Sequence, residues 1–226
     1  MAKVFLGVGH GGNDPGAVAN SFREKDLNLA IALACNEVLL RHGVNVLMSR
    51  TKDENDDVKQ EIKECNAYNP NLAIDIHNNA GGGDGAEVYY HTGGGTSKVL
   101  ATNILNEIVK VGQNSRGIKT KKNASGSDYY GFIRDTKASA VIVECAFVDN
   151  RNDIAIIDTA QEQKTMGIAI AKGILKTLGI AYIEQKPTAT KTDKIYRVQV
   201  GAYAVKANAE AMKKKLIADG YDAFIV

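Results

Sequence analysis

A chain of 226 residues, 44% hydrophobic and 24% charged, has the balance of a folded protein and is long enough for one sizeable domain with a small appendage. Its formal net charge of +2 excludes the strong basic excess of a nucleic-acid binder, and no apolar stretch is long enough for membrane insertion. Charge is uneven, because residues 183–226 carry eight Lys+Arg against five Asp+Glu and follow a near-neutral body.

The N-terminus turns polar almost at once after Met1–Gly7, too early for a signal peptide, so synthesis in the cytoplasm is expected. Val4 to Gly7 reads as the first buried strand, and His10 follows it within Gly9-His10-Gly11-Gly12. Sites in open α/β sheets form at the carboxyl ends of strands, and glycines let other groups approach the imidazole closely. Leu27, Ile31, Cys35 and Val38 recur at helical spacing, with Glu24 on the same face in the first turn. Glu24 then reads either as a buried carboxylate that needs a partner or as an acid placed favourably at a helix N-terminus. His42, before Gly43, suits a helix C-terminus.

Val44 to Met48 is the second strand, and Val58, Ile62 and Cys65 mark a second helix. Leu72 to Ile76 is the third strand, and His77 closes it as a second imidazole at a second strand end, followed by Asn78 and Asn79. Two His and one Glu leave a fourth position open on a zinc ion, as a catalytic site requires. Seven of the 22 glycines fall between Gly81 and Gly95 around the strand Ala86 to Tyr90, and read as loops at a cleft rim. His91, beside them, reads as solvated. Leu100, Ile104 and Ile108 mark another helix.

Ala140 to Val143 is apolar on both faces and ends in Glu144, a carboxylate suited to take a proton from water attacking a carbonyl. Met166, Ile170, Ile174 and Leu178 give the last helix of the body. Strands alternating with helices predict an α/β layer fold: a twisted, mostly parallel mixed sheet of about six strands flanked by helices. Cys35, Cys65 and Cys145 are odd in number, lie in apolar or helical contexts and have no Cys-x-x-Cys spacing, which favours free thiols over disulfides or a thiolate metal site.

The catalytic body is expected to span 1–182, a Pro- and Thr-bearing linker 183–194, and a small βαβ unit 195–226. In that unit Ile195 to Ala202 and Tyr221 to Val226 read as strands around a helix over Ala207 to Asp219.

Four blocks then carry a resemblance: Gly9–Ala17, Arg23–Asn28, Asp75–Ala80 and Val143–Asn150. In order and content they resemble the zinc N-acetylmuramoyl-L-alanine amidases of the amidase-3 type, across about residues 1–180. One departure is Val8, where many members carry an acid. The resemblance implies Zn2+ held by His10, Glu24 and His77, Glu144 as catalytic carboxylate, and Asn78, Asn79 and Tyr130 as substrate contacts. It implies peptidoglycan as partner, cleaved at the amide between the muramic acid lactyl group and the first alanine. Tyr196–Tyr203, Ala207–Glu210 and Gly220–Ala223 resemble half of a SPOR-type peptidoglycan-binding domain. The combination looks like the mother-cell lytic amidases of spore-formers, whose catalytic part phage endolysins share. Such enzymes reach the wall after lysis or through phage-made pores. A lone βαβ half leaves room for a second copy, so a homodimer through residues 195–226 is expected. Two rival readings are a zinc peptidase cutting within the stem peptide and a non-catalytic wall-binding protein with structural zinc.

Overall fold

Val4, Phe5, Leu6 and Val8 are all fully buried, as a strand covered on both faces requires. They belong to β1 (Lys3–Val8). The structure, a computed structural model, describes residues 1–184, 199–221 and 223–225. After β1 come β2 (Val18–Ala19), β3 (Phe22–Arg23), α1 (Glu24–Arg41), β4 (Asn45–Met48), α2 (Val58–Tyr68), β5 (Leu72–Asn79) and β6 (Ala86–Tyr90). Then follow α3 (Thr96–Lys110), β7 (Ser115–Lys119), α4 (Gly131–Asp135), β8 (Ser139–Phe147), α5 (Arg151–Ile154), α6 (Ala160–Thr177) and α7 (Lys206–Ala218). Six strands form one mixed sheet in the order β4-β1-β5-β8-β6-β7. All its pairings are parallel except that of β6 with β8. The expected mostly parallel sheet of six strands flanked by helices is what the chain forms.

Strand alternation sorts the side chains into two layers. Val4, Leu6, Val8, Leu72, Ile74, Ile76, Val141 and Val143 face α1, α3 and α6 in the larger core. Phe5, Ala73, Ala140 and Ile142 face the smaller layer of α2 and α4, with Cys65, Phe132 and Ile133. By the same parity His77, Glu144 and Glu87 lie on the face of the smaller layer, where polar residues replace its apolar cover. Helix ends are fastened locally. Asp57 accepts from the backbone of Lys59 and Gln60 at the start of α2, and Thr159 with Glu162 forms a reciprocal capping box on α6. All three cysteines are free and buried.

Two features differ from expectation. β7 was not foreseen, because Ser115–Lys119 is a short polar edge strand without apolar alternation. In addition, β5 and β8 run past their apolar stretches to Asn79 and Phe147, so His77 and Glu144 lie within strands rather than at their ends. The backbone ladder continues there because the neighbouring strands still pair, whatever the side chains.

The chain divides into two compact units, Met1–Ile183 and Glu184–Val226. In the second, α7 buries none of its side chains. The linker expected over 183–194 lies almost wholly outside the described residues, as do positions 195–198 of the first expected strand. Gln199–Ala202, Tyr221 and Ala223–Ile225 are described and form no strand. A lone strand with no neighbour leaves its backbone groups unpaired, which accounts for the helix forming without them. Among the described residues no helix is long and apolar enough to cross a membrane.

Candidate metal centre

His10, Glu24 and His77, far apart in sequence, converge so that one ligand-capable atom from each lies within 4.8 Å of the others. Each comes from a different element. β1 delivers His10, and a tight turn returns the chain so that Gly11 and Asp14 pair. His10 itself is held in the left-handed region at φ 63°, an uncommon conformation for a residue with a side chain. Glu24 is the first residue of α1 and is 4% exposed. His77 comes from β5, whose backbone also holds the end of β1, Gly9 N donating to Ile76 O at 3.1 Å. Gly9 is needed there, since a Cβ on it would meet the His77 ring at 2.2 Å.

The Glu24 carboxylate bridges the imidazoles: Oε1 is 3.0 Å from His77 Nδ1 and Oε2 is 3.2 Å from His10 Nε2. The far ring nitrogens meet further carboxylates. His10 Nδ1 is 2.8 Å from Asp14 Oδ2, and His77 Nε2 is 3.2 Å from Asp75 Oδ2. A metal-binding histidine typically gives its other ring N–H to a carboxylate in this way, which fixes the tautomer and the ring plane. Backbone N–H groups of Ala17 and Asn78 also donate to Glu24, at 2.9 and 3.1 Å. Burial works to raise the Glu24 carboxyl, but hydrogen bonds from His10 and His77 overrule it and hold the group well below the usual carboxylate range. The His10 ring is raised mainly by its bond to Glu24, against its burial. Burial opposes a charge on His77, yet Asp75 and Glu24 lift it well above its ordinary value. The cluster is thus an ionised acid between two imidazoles.

Glu144 stands beside this group. It is the direct register partner of His77 across the β5–β8 pair. Its Oε2 is buried and makes no hydrogen bond. Burial pushes its carboxyl up to about 7; His77 pulls it down, and Glu24 and Asp75 push it further up. The folded protein therefore favours protonated Glu144. That contribution to stability is complete below the ordinary value of 4.5 and is lost as pH rises through about 7. Compared with Glu144→Gln, the metal-free wild type should lose on the order of 3 kcal/mol of stability between pH ~4 and ~8. Urea unfolding of both proteins at the two pH values measures this, and parallel behaviour of the pair would show that Glu144 is not buried as described.

The expected substrate contacts take different positions. Asn78 is 2% exposed on the opposite strand face from His77, and its amide donates to Asn28 Oδ1 at 2.8 Å. Its side chain therefore ties β5 to α1. Asn79 gives its amide to Glu87 Oε1 at 3.1 Å. Tyr130 directly precedes α4 and packs against Tyr89 and Tyr129, with ring centroids 4.8 and 5.1 Å away. Of the other two histidines, His42 caps α1 and contacts Val38 O at 2.7 Å, while His91 pairs with Asp128 at 3.1 Å.

Sequence reasoning missed the supporting residues. Asp14 and Asp75 lie four residues after and two before their histidines, and an acid at such spacing was the available signal. Arg50 gave none. It is 2% exposed and donates to the carbonyls of Val8, Gly9 and Lys25 at 3.0, 3.2 and 2.8 Å, tying the His10 turn to α1. Asn28 does similar work, its amide reaching Gly9 O at 2.9 Å. Val8 sits in the larger core, so the departure at that position removes nothing from the cluster.

Residues 4–176 match the N-acetylmuramoyl-L-alanine amidase family and residues 171–226 the SPOR domain. The chain is 35% identical to N-acetylmuramoyl-L-alanine amidase CwlM of Bacillus licheniformis, over all of this chain and 85% of that protein. It is 30% identical to the sporulation-specific N-acetylmuramoyl-L-alanine amidase of Bacillus subtilis (strain 168), with the same coverage. Among solved structures it resembles Cwp6 from Clostridium difficile, with a TM-score of 0.77 and 38% identity over 78% of this chain and 29% of that one. With a family match over residues 4–176, most of its length, the chain belongs to the N-acetylmuramoyl-L-alanine amidases.

Proposed function

We propose that this protein hydrolyses the amide between the lactyl group of N-acetylmuramic acid and the first L-alanine of the stem peptide, with zinc held by His10, Glu24 and His77. The donor set fits that ion. Two imidazole nitrogens and one carboxylate are typical of catalytic zinc, and both histidines have the carboxylate partners that such ligands use. One ligand-capable atom from each of the three residues lies within 4.8 Å of the others, close enough for all three to hold a single ion. When bound, zinc supplies Lewis acidity to a carbonyl and lowers the pKa of water toward ~7.

Everything else is done by side chains of the chain itself. Asp14 and Asp75 keep the far nitrogens of the two rings occupied, so the near nitrogens stay turned toward the centre. Glu144 accepts the proton of the attacking water on its unpartnered oxygen. It then returns a proton to the alanine nitrogen as the C–N bond breaks, leaving the lactyl carboxylate and a free peptide amine. The observation that carries this reading is the buried, unpaired Glu144 oxygen beside the His10–Glu24–His77 cluster. Mass spectrometry of purified peptidoglycan after digestion, with and without a chelator, tests it. Intact stem peptides with new N-terminal alanine are expected, only without chelator. Shortened peptides would instead indicate a peptidase.

The segment over residues 171–226 matches the SPOR domain, and we propose that it binds peptidoglycan and holds the enzyme on the wall. We also propose that two copies pair through residues 195–226. In this unit Val205, Ile217, Tyr221 and Phe224 are 56%, 52%, 66% and 65% exposed, apolar surface that a second copy would cover. Light scattering of the full chain at high concentration should give a dimer mass, and a monomer mass at every concentration would refute the pairing.

A further inference from the structure

β5, β8, β6 and β7 lie side by side in the sheet. His77 is paired with Glu144 across the first junction, and Glu144 with Glu87 across the second. The three side chains therefore form a row on one face, perpendicular to the strands. Glu87 is buried, and every direction around its carboxylate is filled. Oε1 accepts from Asn79 Nδ2 at 3.1 Å and from the Tyr89 hydroxyl at 2.9 Å. Oε2 accepts from Arg116 Nε at 2.7 Å and from Lys119 Nζ.

Arg116 and Lys119 are three apart on β7, so a regular strand would send them to opposite faces. The register of β7 against β6 slips between Ala86 and Val88, and Gly117 there adopts φ 85°. The bulge turns both cations onto the face that carries Glu144, a common device beside active sites. One cation balances Glu87, and the second is in excess over that carboxylate. Both remain within reach of solvent, with side chains 36% and 33% exposed. Arg116 lies over the Phe147 ring, 4.9 Å from its centroid, and among the described residues it donates only through Nε. Its two terminal nitrogens are left for a ligand.

We propose that Arg116 and Lys119 form a subsite for a substrate carboxylate on the peptide side of the scissile amide. This rests on the amidase reading above and adds a specificity determinant to it. The distances agree. Glu87, which both cations reach, is one strand from Glu144, about 4.8 Å along the sheet. A carboxyl group on the residue after the alanine lies two residues from the cleaved bond, at most about 7 Å along an extended peptide. A guanidinium with two free nitrogens matches a carboxylate in a forked geometry.

The test compares two synthetic muropeptides that differ only in the second stem residue, which carries either a free carboxylate or the corresponding carboxamide. For the wild type, KM for the acid should be about tenfold below KM for the amide, a size appropriate to a charge-assisted contact that is partly exposed. In Arg116→Gln and in Lys119→Gln that ratio should fall toward one. Arg116→Lys, which keeps the charge but loses the fork, should give an intermediate ratio, whereas a disturbed fold would lower kcat for both substrates alike. Wild-type cleavage of both substrates without preference, or an unchanged ratio in both glutamine variants, overturns the subsite alone. Cleavage of neither substrate overturns the amidase reading beneath it.

Discussion

Replacing Glu144 with alanine should lower kcat by about 10²–10⁴-fold, the usual contribution of a general base, while the protein keeps its zinc. The expectation follows from what is engaged and what is free around the cluster. Glu24 is occupied by both histidines and two backbone N–H groups, so it has no capacity for a further proton acceptor role. Asp14 is bound to His10 and to the backbone of Gly16. Asp75 does have an unpartnered oxygen, but it approaches His77 at Nε2, the side of the ring away from Glu24. Of these carboxylates, Glu144 has a free oxygen, stands opposite His77, makes no hydrogen bond to either ring and has no place in the His10–Glu24–His77 cluster. Its carboxyl near 7 in the metal-free protein also matches the pKa that a base operating near neutrality needs. Zinc content by atomic absorption and turnover of purified wall on the same preparation check both halves. A variant with near-normal turnover would remove Glu144 from the mechanism.

The three residues of the cluster are legible in the sequence because they sit where apolar runs stop or an amphipathic helix begins. His10 follows the run of β1 and His77 that of β5, while Glu24 is the acid in the first turn of an amphipathic helix. These are local signals, and the sheet of apolar strands that holds them is similarly local. What could not be read depends on pairing between segments distant in sequence. Glu87 looks like an ordinary polar residue of a half-buried strand until β6 is known to run antiparallel beside β8, which sets it opposite Glu144. β7 lacked a signal because Gly117 and Arg116 interrupt any alternation, and that same interruption produces the bulge. Arg50 is a surface residue by type, and only the three carbonyls converging on it make it an internal tie. In the tail the alternation over 195–202 suggested a strand, but its described residues form none, since alternation supplies a face and not a partner strand.

Glu24→Gln should abolish zinc retention and reduce hydrolysis to background. Outer-sphere partners of a metal site already cost up to about 100-fold in affinity when removed, and loss of a direct carboxylate ligand should exceed that. Glutamine keeps the size of the side chain, but with one acceptor oxygen it can serve Ala17 or Asn78 and not both, and it cannot offer an anion to two imidazoles whose ring centroids are 5.1 Å apart. Charge is the decisive loss here. His10 and His77 are both raised by the Glu24 carboxylate in the metal-free protein, so the variant leaves two rings that charge less readily and repel each other when they do. The stability consequence has a defined sign. Glu24 is held well below its ordinary 4.5, so it stabilises the fold above that value and ceases to as pH falls below it. The variant should therefore be less stable than the metal-free wild type at neutral pH, and the difference should shrink in acid. Metal content after dialysis, zinc titration calorimetry and urea unfolding of the metal-free proteins give three independent readings. Wild-type zinc content in the variant would mean that Glu24 is a structural brace between the histidines and not a ligand.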